Sequence, residues 1–279
     1  MERKVLKQVT GYKTTDGAGV NLVRVLSRNT VELFDPILML DSFDSVNPRD
    51  YIAGFPLHPH RGIETISYIY RGKMVHKDSL GNEDMIQDGE VQWMTAGSGI
   101  MHEEKLPASE RMLGVQLWLN LASKDKMVAP AYLSVKADQI KEVALPHGRL
   151  RVLAGSYEGQ ASYQSKYQPL DYYDIHLNPH ASFTIKTDSH RSIMLFTLVG
   201  SIVVGGVYIK EKTAVKLSEG DTLTIETKSE GAQILFVSSL ALNEPVAWGG
   251  PIVMNTKEEL YRAFQDLDEG TFLKQKITY

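Results

Sequence analysis

His58-Pro59-His60 and His102-Glu103-Glu104 each place two metal-ligating side chains two residues apart. Side chains at that spacing on a strand project from one face. If the two pairs sit on facing strands, three imidazoles and one carboxylate aim at a single point. That is a ligand set for a divalent transition metal, with positions left open for a substrate. An isolated His-x-His arises easily by chance, so the second pair carries the weight. It follows Thr95-Ala96-Gly97-Ser98-Gly99, a small-residue turn that can bring the backbone back beneath the first strand. The remaining histidines (His76, His147, His176, His180, His190) are scattered without such pairing.

The elements that must position these residues read as strands. Short Val/Ile/Leu/Tyr/Phe runs are broken by Gly, Asp, Asn and Pro, as in all-β sandwiches and barrels. The pattern predicts strands over Ile37–Leu40, Glu64–Arg71, Met74–Asp78, Asn82–Gln87, Glu90–Thr95 and Leu113–Leu121. A weak internal repeat follows. Ser67–Gly72 and Met85–Glu90 are matched by Phe196–Gly200 and Val215–Asp221, which suggests two copies of one β-fold. The boundary is expected between about Asn120 and Leu150, with the Lys/Asp/Pro segment Ala122–Pro130 as a surface loop or linker. This divides the chain into residues 1–130 and residues 131–279. One helix is expected near the C-terminus. Thr256 and Glu259 fit a capping box, Leu260, Ala263, Phe264 and Leu267 form an apolar stripe, and Gly270 serves as the C-cap.

Composition removes several function classes. The chain has 279 residues, 43% hydrophobic and 23% charged, with a formal net charge of -4. That is an ordinary globular mixture without the basic footprint of a direct nucleic-acid binder. With no cysteine, disulfides, thiolate metal sites, iron–sulfur clusters and thiol nucleophiles are excluded. Any metal must use His, Asp and Glu. The N-terminus lacks a signal-peptide core, and a cytoplasmic location is expected. The uncharged run Ser192–Ile209 is interrupted by Gly200, Gly205 and Gly206 and is read as buried strands rather than a membrane span.

Gly54–Thr65 and Gln92–Glu104 resemble the two signature stretches of the pirins, and Gly250–Thr256 is similar to a C-terminal pirin motif. The resemblance covers most of the chain. It implies an all-β fold of two antiparallel jelly-roll (cupin) barrels in tandem with a short C-terminal helix. It also implies Fe(II), or otherwise another divalent transition metal, held in the N-terminal barrel by His58, His60, His102 and Glu104. Cupins in general often take a carboxylate from the position of Glu64. Local spacing does not choose between the two, and the pirin-like His-x-Glu favours Glu104. Glu64 would then orient an imidazole. Glu103 has the opposite parity and is expected to point away. The second barrel lacks a comparable set and is expected to be metal-free.

The resemblance points to flavonols such as quercetin, with 2,3-dioxygenation, ring opening and release of carbon monoxide. Glu104 would be the catalytic carboxylate, as ligand or general base. Phe55, Met74, Met94, Gln116 and Trp118 are candidates for the cavity wall. Gln116, polar in an apolar strand, could bond a ligand water or the substrate. Arg61 is read either as a surface ion pair or as an anion-steering charge. The expected partners are a flavonol and dioxygen, with no nucleic acid and no membrane, and a protein partner on a barrel face is left open. Two competing classes are an iron-containing, redox-responsive binding module without turnover and a cupin isomerase or lyase that needs no oxygen.

Overall fold

The computed structural model describes residues 1–275. Contacts divide the chain into two units. The first barrel comprises Lys13–Val31, Ile37–Ala137 and the chain from Leu242 onward; the second comprises Met1–Tyr12, Glu32–Pro36 and Asp138–Ala241. Each contains a seven-stranded and a four-stranded antiparallel sheet with the same strand order, and the chain is a two-domain cupin fold.

The seven strands of the first barrel run, across the sheet, Ala131–Val135, Glu90–Thr95, Ile63–Arg71, Met112–Asn120, Ile37–Ser45, Val20–Leu26 and Tyr12–Asp16. Its four-stranded sheet runs Phe55–His60, Ile100–Lys105, Lys73–Asp78 and Glu83–Gln87. Two apolar clusters lie inside. Val20, Leu22, Phe43, Ile69, Met74, Ile86 and Met112 form one; Met39, Ile63, Met94, Ile100 and Trp118 belong to the other. Between them the register aligns Arg24, Asp41, Gln116, Ser67 and Gln92 in one row across five strands. This polar row crosses the interior face of the large sheet.

In the second barrel the equivalent sheets run Val5–Thr10, Thr213–Leu217, Ser192–Val199, Ala232–Ser239, Leu170–Leu177, Gly148–Ala154, Lys141–Leu145 and Ser182–Lys186, Thr222–Glu226, Ile202–Val204, Val207–Ile209. Among the described residues an apolar cluster that includes Leu150, Val152, Ile175, Ile185, Leu195 and Leu223 fills the space between them. The matching row is Val152, Tyr173, Phe236, Leu195 and Val215.

Two readings from sequence need correction. A cut near residue 130 misplaces both termini. Val5–Thr10 pairs with Thr213–Leu217 in the second barrel, and the helix Lys257–Asp268 packs through Ala263 against Ile252 and Met254 in the first. Strand pairing and helix docking are long-range contacts that local composition does not record. The repeat is also one strand out of step in its second half. The strand Ile63–Arg71 does match Ser192–Val199. The turn at Gly220, however, precedes Thr222–Glu226 and so corresponds to the turn at 96–99, not to Asp88-Gly89.

The helix itself follows its sequence signals. Glu259 N–H donates to Thr256 Oγ1 at 3.1 Å and Thr256 N–H to Glu259 Oε2 at 3.0 Å. Ser192–Ile209 forms strands, and among the described residues no helix is long and apolar enough to cross a membrane.

Candidate metal centre

Phe55–His60 and Ile100–Lys105 are adjacent strands, and their register sets His58 opposite His102. His58, His60 and His102 present ring nitrogens that all lie within 4.8 Å of one another. His58 Nε2 is 3.0 Å from His60 Nε2 and 3.0 Å from His102 Nε2. His60 and His102 are buried, and His58 is half-buried. Burial, reinforced by the neighbouring imidazoles, pushes His60 and His102 well below the ordinary imidazole range. They are therefore neutral, the form that ligates a metal.

The outer nitrogens fix where the protons sit. His58 Nδ1 is 2.8 Å from Pro56 O, and His60 Nδ1 is 3.1 Å from Pro251 O. A carbonyl only accepts, so each Nδ1 carries a hydrogen, and in the neutral, metal-binding form of the ring Nε2 is then the lone pair. His102 Nδ1 lies 3.3 Å from His76 Nδ1, and His76 Nε2 lies 2.9 Å from Asp78 Oδ2. Burial raises the Asp78 carboxyl, but hydrogen bonds from His76 and Asn82 outweigh it and hold it below the usual range. An ionised Asp78 takes the Nε2 hydrogen of His76, which leaves His76 Nδ1 to accept from His102.

Three lone pairs thus converge with no hydrogen between them. A cation relieves that arrangement. Bonds of about 2.1 Å at right angles would set neighbouring nitrogens about 3.0 Å apart, the spacing of His58 Nε2 from both His60 Nε2 and His102 Nε2. The residues fit a divalent transition metal, and the cluster is a three-histidine site consistent with one.

Glu104 is buried two residues beyond His102, but a bulge intervenes and its register partner is Phe55. Its carboxylate is outside the three-histidine group. Gln92 Nε2 donates to Oε1 at 2.7 Å and Gln116 Nε2 to Oε2 at 2.9 Å. Gln116 also reaches Ser67 Oγ at 3.2 Å. The polar row of the large sheet therefore holds this carboxylate. Glu64 is buried and does not orient an imidazole: its Oε1 accepts from Thr95 Oγ1 at 2.7 Å. Burial raises its carboxyl against the lowering effect of that bond. Glu103 points away and pairs with Lys105 at 3.3 Å.

The wall candidates separate. Trp118 meets the His60 ring edge-on with centroids 5.1 Å apart. Met74 is fully buried in the apolar cluster with Ile69 and Ile86, and Phe55 packs on the same cluster and on Phe43. Both are core side chains, placed there because the inward positions toward that end of the strands meet only apolar neighbours. Met94 lies in the other cluster beside Trp118. Two buried polar atoms near the site, Trp118 Nε1 and Gln92 Oε1, have no hydrogen-bond partner among the described residues.

Arg61 is neither a surface pair nor exposed. Its guanidinium is buried, donates to Ser98 O, Phe272 O and Asp266 Oδ2 at 2.8 Å each, and stacks on Phe272. It ties the turn after His60 to the C-terminal segment. Gly62 closes that turn at φ +79°, where a Cβ would stand 2.0 Å from Val253 O. His76 and Asp78 are the residues that sequence reading missed. Their signal was present: they share the i, i+2 spacing of His102 and Glu104 on a predicted strand.

Comparison with known proteins agrees with this architecture. The pirin family model matches residues 19–119, and the pirin C-terminal cupin domain matches residues 172–273. A pirin-like protein of Caulobacter vibrioides is 40% identical over 275 residues, covering 97% of this chain and 99% of the relative. A crystal structure of quercetin 2,3-dioxygenase from Acinetobacter baumannii superposes with a TM-score of 0.90 at 32% identity, over 98% of this chain and 99% of that one. A bacterial pirin from Escherichia coli in complex with nickel(II) shares the fold at 19% identity, with a TM-score of 0.66 over 84% of this chain and 98% of its own. With both family models matched and a relative aligned nearly end to end, the chain belongs to the pirin family.

Proposed function

We propose that this chain is a metal-dependent dioxygenase acting on flavonols such as quercetin, with the metal held by His58, His60, His102 and Glu104. Fe(II) is the first choice of metal. The observation that carries the reading is the convergence of three imidazoles, with His58 Nε2 3.0 Å from both His60 Nε2 and His102 Nε2 and the three nitrogens all within 4.8 Å. The likeness to the Acinetobacter quercetin 2,3-dioxygenase supports the substrate class, and the nickel complex of the Escherichia coli pirin supports a metal in this fold.

When bound, the metal supplies a Lewis acid and a template that can accept a bidentate hydroxy-ketone. The chain's own residues do the rest. Burial keeps His60 and His102 neutral, and their outer nitrogen contacts hold the ring orientations. Glu104, two residues beyond His102 on the same strand, would serve as a ligand or take the substrate's hydroxyl proton once its carboxylate turns from Gln92 and Gln116 toward the histidines. Gln92 and Gln116 hold that carboxylate while it waits. Trp118 offers a flat apolar wall beside His60 and an indole N–H that none of the described residues accepts.

Oxygen uptake with quercetin tests the reading. Metal-stripped chain, Fe(II)-reconstituted chain and reconstituted H58A/H102A are compared. Uptake confined to the reconstituted wild type supports a dioxygenase. Stoichiometric iron binding without uptake sinks the flavonol reading and leaves a binding module or another substrate.

A further inference from the structure

Resting on the metal reading above, we infer that His76 and Asp78 are positioning residues for His102, forming a carboxylate–imidazole–imidazole chain that fixes its tautomer. His58 and His60 are oriented by the backbone carbonyls of Pro56 and Pro251. His102 is oriented instead by another side chain, His76, which is fully buried and is itself tied to Asp78. A metal-binding histidine commonly gives its second N–H to a carbonyl, carboxylate or water. Here the partner is a second ring nitrogen, His76 Nδ1 at 3.3 Å, and it can accept only while the ring's other nitrogen carries the hydrogen toward Asp78 Oδ2 at 2.9 Å.

Several contacts make this arrangement directional. The register sets His102 beside Asp78 and Glu104 beside His76, so the acid and imidazole positions of two adjacent strands interlock. Tyr132 stacks on His76 with centroids 4.1 Å apart and planes 10° from parallel, which blocks the ring from rotating out. Asp78 is fixed in turn by Leu80 N–H at 2.9 Å, Asn82 N–H at 3.1 Å and Asn82 Nδ2 at 2.9 Å. Its carboxylate therefore has an orientation of its own, independent of any metal. The direction of the chain follows: Asp78 accepts from His76 Nε2, His76 Nδ1 accepts from His102 Nδ1, and His102 Nε2 is left as a lone pair facing the other two histidines. Reversal would put a hydrogen on His102 Nε2, where a metal must bind.

Two readouts test this without turnover. In metal-free chain carrying 15N-labelled histidine, His102 is expected as the Nδ1–H tautomer, with Nε2 unprotonated. Ni(II) affinity is then measured by chelator competition. H76F removes the acceptor and keeps a flat ring against Tyr132; it is expected to weaken binding by roughly 10–100-fold. H76Q, whose amide oxygen can take the same N–H, is expected to recover most of that loss. Thermal midpoints and near-ultraviolet circular dichroism check that both variants fold. An Nε2–H tautomer at His102 overturns the inference. So does H76F binding Ni(II) within twofold of wild type, or H76Q binding no better than H76F, which would mark His76 as packing alone. Failure of the wild type to take up Ni(II), Co(II) or Fe(II) sinks the metal reading itself and this inference with it.

Discussion

The two barrels share a strand order and differ in what their strands point inward. In the first, the central row of the large sheet is Arg24, Asp41, Gln116, Ser67 and Gln92; in the second it is Val152, Tyr173, Phe236, Leu195 and Val215. The small sheets differ in the same way. His58 faces His102 in the first, and the inward pair Ile185 and Leu223 are partners in the second. A cluster of imidazoles and a buried carboxylate needs hydrogen-bonding neighbours, because an unpaired buried polar group costs about 1–3 kcal/mol. The polar row supplies them to Glu104, and it splits the apolar interior into two clusters. The second barrel keeps an apolar cluster. One fold thus carries a buried polar cluster in one copy and an apolar core in the other, and the division lies in side chains, not topology.

The largest expected effect breaks the first half of that comparison. Apparent metal-binding energies of about 10–16 kcal/mol shared among the four proposed ligands give about 3 kcal/mol for each. H58A/H102A should therefore weaken Ni(II) binding by about 10⁴-fold. The metal-free variant should be at least as stable as wild type, because the crowded lone pairs are gone. Calorimetric titration and thermal unfolding check both parts, and a metal-free variant much less stable than wild type would show that the histidines serve the fold.

The next effect addresses the other half. Phe236 and Gln116 occupy the same row position in the two barrels. Phe236 is buried, stacked on Tyr173 with centroids 5.2 Å apart. F236A should cost about 3–5 kcal/mol of stability by leaving a cavity, with Ni(II) affinity unchanged. Q116A removes the donor that reaches both Glu104 oxygens, and its main effect should fall on metal affinity. Denaturant unfolding and metal titration of both variants decide it. If F236A alters affinity as much as Q116A does, the division of labour between the barrels is wrong.

Much of this was legible in the chain. The three clustered histidines were visible because strand periodicity brings i and i+2 to one face, and the helix was visible because its capping box and stripe are local. The unread parts are non-local or lie in pairs given too little weight. His76-x-Asp78 has the spacing of His102-x-Glu104, but its meaning depends on which strand lies beside it. The burial of Arg61 depends on Ser98, Asp266 and Phe272, the last two some two hundred residues away. Glu64 has the right parity for the cluster, yet Thr95 holds it, and only the register of Glu90–Thr95 against Ile63–Arg71 makes Thr95 its neighbour.

Lys126 gives the comparison its most conditional test. It is buried in the first barrel, with Nζ donating to Asn120 Oδ1 at 2.5 Å, Gly62 O at 2.8 Å and Val253 O at 2.9 Å. All three acceptors are uncharged, so burial pushes the amine down to about 7, against the weaker raising influence of Glu244 and Glu259. In the unfolded chain the group keeps its ordinary value of about 10.4. Below pH 7 both states hold the proton, and the folded state bears the full cost of a buried charge. Between about pH 7 and 10 the folded chain has released a proton that the unfolded chain still binds, so stability rises with pH. The gain should approach about 4 kcal/mol, and K126M should flatten it. Because Lys126 bridges Gly62 and Val253, the change should appear as slower amide exchange around residues 60–63 and 252–254, with the strands Ser182–Lys186 and Thr222–Glu226 unaffected. An equal change in both barrels, or an unaltered slope in K126M, would assign the pH dependence to other groups.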